Sequence, residues 1–89
     1  MLGESGMSPD QVKARIETLA PGTEAQVMDL TGTQDHYQAV VVSPVFEGKL
    51  TMQQHRMVFD LFKSEIASNE VHALTLKTFT PAAYAKLSG

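Results

Sequence analysis

Along this chain the spacing of apolar residues changes repeatedly, and each change marks an element. Ser8-Pro9 opens a segment in which Val12, Ile16 and Leu19 recur at helical intervals, with Ala20 extending the stripe, and Pro21-Gly22 ends it. Ser8 as N-cap, Pro9 at the first helical position and Asp10 in the first turn predict a helix from about Pro9 to Ala20. Its Lys13, Arg15 and Glu17 read as a solvated face. From Glu24 to Leu30 the side chains alternate, with Ala25, Val27 and Asp29 on one side and Gln26, Met28 and Leu30 on the other, as in a strand. The polar loop Thr31-Gly32-Thr33-Gln34-Asp35 leads at once into a second run, about His36 to Val42, containing Val40, Val41 and Val42. Two such runs joined by a short Gly-containing loop predict an antiparallel hairpin.

Ser43-Pro44 and Gly48 then set turns, with Val45 and Phe46 expected to tuck under the sheet edge. Thr51 is a candidate N-cap, with Gln54 completing a capping box. The stripe of this second helix runs through His55, Val58 or Phe59, Phe62 and Ile66, widened by Met57 and Leu61, while Asp60, Lys63 and Glu65 face water. After a turn over Ala67 to Glu70, the β-rich run Val71 to Phe79 makes the helix a crossover between two parallel strands. Thr80-Pro81 begins a terminal helix containing Tyr84 and Leu87. The order α-β-β-α-β-α describes a small α+β sandwich with a three-stranded mixed sheet. Met1 to Gly6, Gly-rich and aperiodic, is set aside as a disordered or tag-like N-terminus, leaving residues 7–89 as one domain.

Parallel strands begin at the same end of a sheet. His36 precedes the first of them and His72 opens the second, so two of the chain's three histidines converge on one edge. Each also has a plain reading. His72 alternates with Leu74 and Leu76 and suits a half-buried ring bonded to backbone, and His36 beside the loop suits a solvated side chain. Two imidazoles do not complete a tetrahedral site or a cluster, so a metal-binding role needs ligands from a partner.

Composition narrows the chemistry further. Without a single Cys among its 89 residues, the chain has no disulfide framework, no redox thiol and no thiolate ligand. A net charge of −3 supplies no broad field for nucleic acid or an anionic membrane. No apolar run approaches the roughly 20 residues of a membrane span, and the N-terminus lacks a basic region followed by an apolar core, so a cytoplasmic protein is expected. A Gly-rich phosphate loop, a nucleophile elbow, a His-Glu metal helix and a Cys nucleophile are all missing, which argues against an enzyme.

Three separated motifs then bring in a family. The runs VVVSPVFEGK, Gln54-His55-Arg56 and VHALTLKTFTP (Val71 to Pro81) together closely resemble the BolA family, in order and at its spacing, over about Met7 to Leu87. The resemblance implies an α-β-β-α-β-α fold related to the type II KH domain. It also implies an adaptor that partners a monothiol glutaredoxin and shares a [2Fe–2S] cluster with it and glutathione, in iron–sulfur trafficking or in iron or stress regulation. The family's histidine ligand falls on His72. Its loop ligand, usually Cys or His, falls on or near Thr33 by counting back from Tyr37, which leaves His36 as the best substitute. The alternative that the resemblance carries is a DNA-binding transcriptional regulator using Phe46, Gly48, Lys49, His55 and Arg56. The family's Arg-His-Arg is Gln54-His55-Arg56 here, one basic group fewer, and Glu47 and Asp60 offset Lys49 and Arg56, so electrostatics disfavours DNA as the main ligand. A metal-free interaction module is the blandest reading. Alone, the protein is expected to be a monomer or weak homodimer.

Overall fold

Ser8 starts the first helix with a reciprocal pair. Its hydroxyl accepts the Gln11 N–H at 3.1 Å while its own N–H donates to the Gln11 side chain at 2.8 Å. The computed structural model describes residues 7–30, 36–68, 71 and 73–88. Helix α1 spans Pro9–Glu17, strands β1 Glu24–Asp29 and β2 His36–Val42, helices α2 Thr51–Asp60 and α3 Lys63–Ala67, strand β3 Ala73–Phe79, and helix α4 Pro81–Ser88. A 3-10 turn, Pro44–Phe46, lies between β2 and α2.

The sheet order is β1-β2-β3, with β1 antiparallel and β3 parallel to β2, the expected α+β architecture. Register puts Ala25 opposite Val41, Val27 opposite Ala39, Ala39 beside Leu76 and Tyr37 beside Leu74, so these residues share one face. That face and the helices enclose a core that includes Val12, Ile16, Tyr37, Val41, Phe46, Val58 and Phe62. Tyr37 keeps its hydroxyl inside by taking the Met7 N–H at 3.1 Å and donating to the Met7 carbonyl, which ties β2 to the approach to α1. On the other face Met28 is exposed, and Tyr84 of α4 meets Phe79 with ring centroids 5.6 Å apart. Ser43 closes the end of β2. Its N–H donates to the Phe79 carbonyl, and its buried hydroxyl bonds Thr23 and accepts the Val45 N–H.

The expected first helix is too long. It stops at Glu17, where the Thr18 hydroxyl donates to the Arg15 carbonyl at 2.6 Å. Nor are Lys13, Arg15 and Glu17 simply a solvated face. Glu17 accepts the Ala25 N–H at 3.2 Å and Lys13 donates to the Ala25 carbonyl at 3.0 Å, so one turn of α1 covers both outward backbone groups of an edge-strand residue.

The single crossover helix is also two helices. Leu61 and Phe62 form a turn between α2 and α3, and Phe62 leaves helical geometry at φ −117, ψ 19. A continuous helix would give the Leu61 carbonyl to residue 65, but Arg15, 46 residues away, donates to it instead at 3.0 Å. The same guanidinium pairs with Glu65 at 3.0 Å and lies 5.4 Å from the Phe62 ring centroid. The Arg15 hydrogen bond, the largest contribution, holds the Glu65 carboxyl below its ordinary range.

Finally, the buried stripe of α2 is only partly the expected one. Val58 and Phe62 are buried as expected, but Gln54 joins them, whereas His55 and Phe59 are half-buried and Ile66 is exposed. The N-cap is Leu50 rather than Thr51, without a side-chain cap bond, and Gln53 instead of Gln54 reaches back to accept the Leu50 N–H at 2.9 Å, leaving Gln54 to turn inward.

Candidate functional site

Two regions carry the residues singled out from sequence. The first is the end of the sheet where β2 and β3 begin. His36 is the first residue of β2 and half-buried, and parallel pairing sets it opposite Ala73, the first residue of β3. Its carbonyl accepts the Leu30 N–H at 2.8 Å, which closes the hairpin below its loop. His72 and Thr33 lie outside the described residues. Ala73 follows His72 directly in the chain, so the expected common end for His36 and the start of β3 is present. Among the described residues no group of three or more His, Cys, Asp or Glu is placed to hold a metal ion. With no Cys in the chain, any thiolate ligand to a metal or cluster would have to come from outside it.

The second region is the loop before α2 and the outer face of that helix. Phe46 is fully buried, so among the five residues proposed for nucleic acid it supports the turn from inside and offers no contact surface. Gly48 sits at φ +76, where a side chain would be strained, and it lets the loop reverse toward α2. Lys49 and Arg56 are exposed and line one groove together with Met52, Gln53, Met57 and Asp60. His55 lies on the other flank, in a shallow groove of about 630 Å³ with Thr51, Met52, Arg56 and Phe59. The structure thus gathers Lys49, His55 and Arg56 around one helix face and withdraws Phe46 from it.

Sequence reasoning missed Gln54. Its side-chain amide donates to the carbonyls of Phe46 at 3.1 Å and Lys49 at 2.9 Å, and its oxygen accepts the Thr78 hydroxyl at 2.6 Å. It therefore holds the loop from the core side. The position counted as a lost basic group on a binding face points inward, and only an i, i+4, i+8 series of residues 54, 58 and 62 would have signalled this.

Comparison with known proteins bears on the whole fold. The mouse BolA-like protein 1 is 34% identical over 79 residues, which cover 89% of this chain and 53% of that protein. The chain therefore matches about half the length of that relative. The Escherichia coli DNA-binding transcriptional regulator BolA is 39% identical over 49 residues, 55% of this chain and 46% of that one. A solved structure of a bolA protein homologue from Coxiella burnetii superposes with a TM-score of 0.75 at 32% identity, covering 89% of this chain and 97% of the other. The family model described as BolA-like protein matches residues 6–83, and with the shared fold this places the chain in the BolA-like family.

Proposed function

We propose that this BolA-like chain is a non-enzymatic adaptor that partners a monothiol glutaredoxin and shares a [2Fe–2S] cluster with it, His72 being the principal ligand and His36 a weaker second. The observation that supports this most directly is the parallel register that sets His36 across from the residue following His72. The glutaredoxin thiol and glutathione supply the remaining ligands, as the cysteine-free donor set requires. When bound, a centre with imidazole ligands has a raised potential and is sensitive to acid, properties suited to transfer or sensing. The chain's own contribution is imidazole, with His36 carried on the first residue of β2.

The test is to mix the purified protein with a monothiol glutaredoxin, glutathione, ferrous iron and sulfide, and to record the visible absorption and circular dichroism of any mixed complex. A heteromeric complex with a spectrum distinct from that of the glutaredoxin alone is expected. His72→Ala should abolish that spectrum with the fold retained. A folded His72→Ala protein that gives the wild-type spectrum would remove the ligand assignment.

A second reading, a DNA-binding regulator, draws on the name of the Escherichia coli relative and on the placement of Lys49 and Arg56 along one groove. Two cations neutralise few phosphates, so it ranks below the adaptor reading. Selective binding of one promoter duplex over random duplex at physiological salt, lost when Arg56 is changed, would reverse that order.

A further inference from the structure

The outer face of α2 is unusual for a surface helix. Met52 is 73% exposed and Leu50, at the cap, is 72% exposed, and Phe59 lies half-buried on the same side. Met52 and Arg56, one turn apart, form a ridge with a groove on each flank. The groove formed with Thr51, His55 and Phe59 contains no carboxylate. Among the described residues neither Arg56 nor Lys49 makes an ion pair, although the chain as a whole carries a net charge of −3. An apolar floor of methionine and phenylalanine beside an arginine that forms no ion pair, with Asp60 confined to the opposite groove, has the composition of an interface core.

We propose that this face docks an acidic, apolar peptide segment of a partner protein, an amphipathic helix with a large apolar side chain in the Met52–Phe59 groove and a carboxylate on Arg56. The surface selects peptide over nucleic acid. Its centre is apolar, and its two fixed cations are few for a phosphate backbone. Charge selects the peptide further. An acidic segment pairs with Arg56 and Lys49, whereas a basic one meets both cations and finds only Asp60 to pair with. Methionine adapts its flexible thioether to different apolar side chains, which suits an adaptor that receives more than one partner. The site lies on α2, apart from His36 at the strand ends, and does not depend on the cluster reading.

The test uses the ¹⁵N-labelled full chain and three probes: an amphipathic peptide of Leu, Phe and Glu, the same peptide with Lys for Glu, and a short DNA duplex. Saturable amide shifts centred on Met52, Arg56 and Phe59 are expected with the acidic peptide, and binding about tenfold or more weaker with the basic one. Arg56→Gln should lower the affinity for the acidic peptide by about tenfold, and Met52→Ser by a similar factor. Both side chains are on the surface, and unchanged amide shifts at Val58 and Phe62 verify that each variant keeps its core. Equal binding of the two peptides, or no saturable shift on α2, overturns the proposal. So does tighter binding of the duplex at this face, which would make it a nucleic-acid site. Concentration-dependent shifts of the same amides in the protein alone would make it a self-association surface instead.

Discussion

Thr78 on β3 donates its hydroxyl proton to the side-chain oxygen of Gln54 on α2 at 2.6 Å, and this bond orients the amide that holds the loop before α2. With the oxygen so engaged, the amide nitrogen is directed at the carbonyls of Phe46 and Lys49. The loop that places Lys49 beside Arg56 is thus shaped by the last strand of the sheet, through one buried side chain.

Gln54→Leu keeps the volume but leaves two loop carbonyls and the Thr78 hydroxyl without their partner. A loss of about 2–3 kcal/mol is expected from urea unfolding, against about 1 kcal/mol for Thr78→Val, which removes one bond only. Equal losses for the two variants would mean that water replaces the amide at the loop.

Gly48 offers a cleaner backbone test. A β-carbon there meets nothing within 4 Å, so the cost of Gly48→Ala is conformational, at φ +76. About 1 kcal/mol of destabilisation is expected, and less for Gly48→Asn, which tolerates the left-handed region better. A larger loss in either variant would point to a contact that the loop makes elsewhere.

Acid should loosen the contacts of α1 with the crossover and with β1. The Glu65 carboxyl is held below its ordinary range by the Arg15 hydrogen bond, and that of Glu17 by the Lys13 hydrogen bond and then the Ala25 N–H. A pKa depressed in the folded state gives stability that is fully present above the unfolded value, about 4.3 for Glu, and is lost as pH falls through the lower folded value. Melting temperature should therefore drop across this acidic interval, and Glu65→Gln should flatten the drop while lowering stability at neutral pH. A profile unchanged by Glu65→Gln would show that the Arg15 pair adds nothing measurable at the surface.

At the strand ends, His36→Ala should weaken the cluster signal of the mixed complex less than His72→Ala, and Thr33→Cys should strengthen it, thiolate being the better iron ligand. Visible absorption after reconstitution measures all three. No gain from Thr33→Cys would place the second ligand away from residue 33.

The order of the elements was legible because it rests on local patterns. The Ser8-Pro9 start of α1 and the valine run of β2 announce themselves, and the change from strand to helical spacing after Gly48 makes the α2 segment a parallel crossover, bringing His36 to the start of β3. Two contacts distant in sequence decided much of the rest. Arg15 takes the Leu61 carbonyl and divides the crossover helix, an event that nothing near Leu61 in the sequence announces. Thr78 and the loop carbonyls satisfy Gln54, so a polar residue enters the core and extends the buried face of α2 beyond Val58 and Phe62. The face made by residues 54, 58 and 62 is buried, and Met52 and Arg56 stay in solvent. Periodicity alone left Val58 and Phe59 as alternatives and put His55 rather than Gln54 on the buried stripe, because an amide's burial depends on partners that local sequence does not supply.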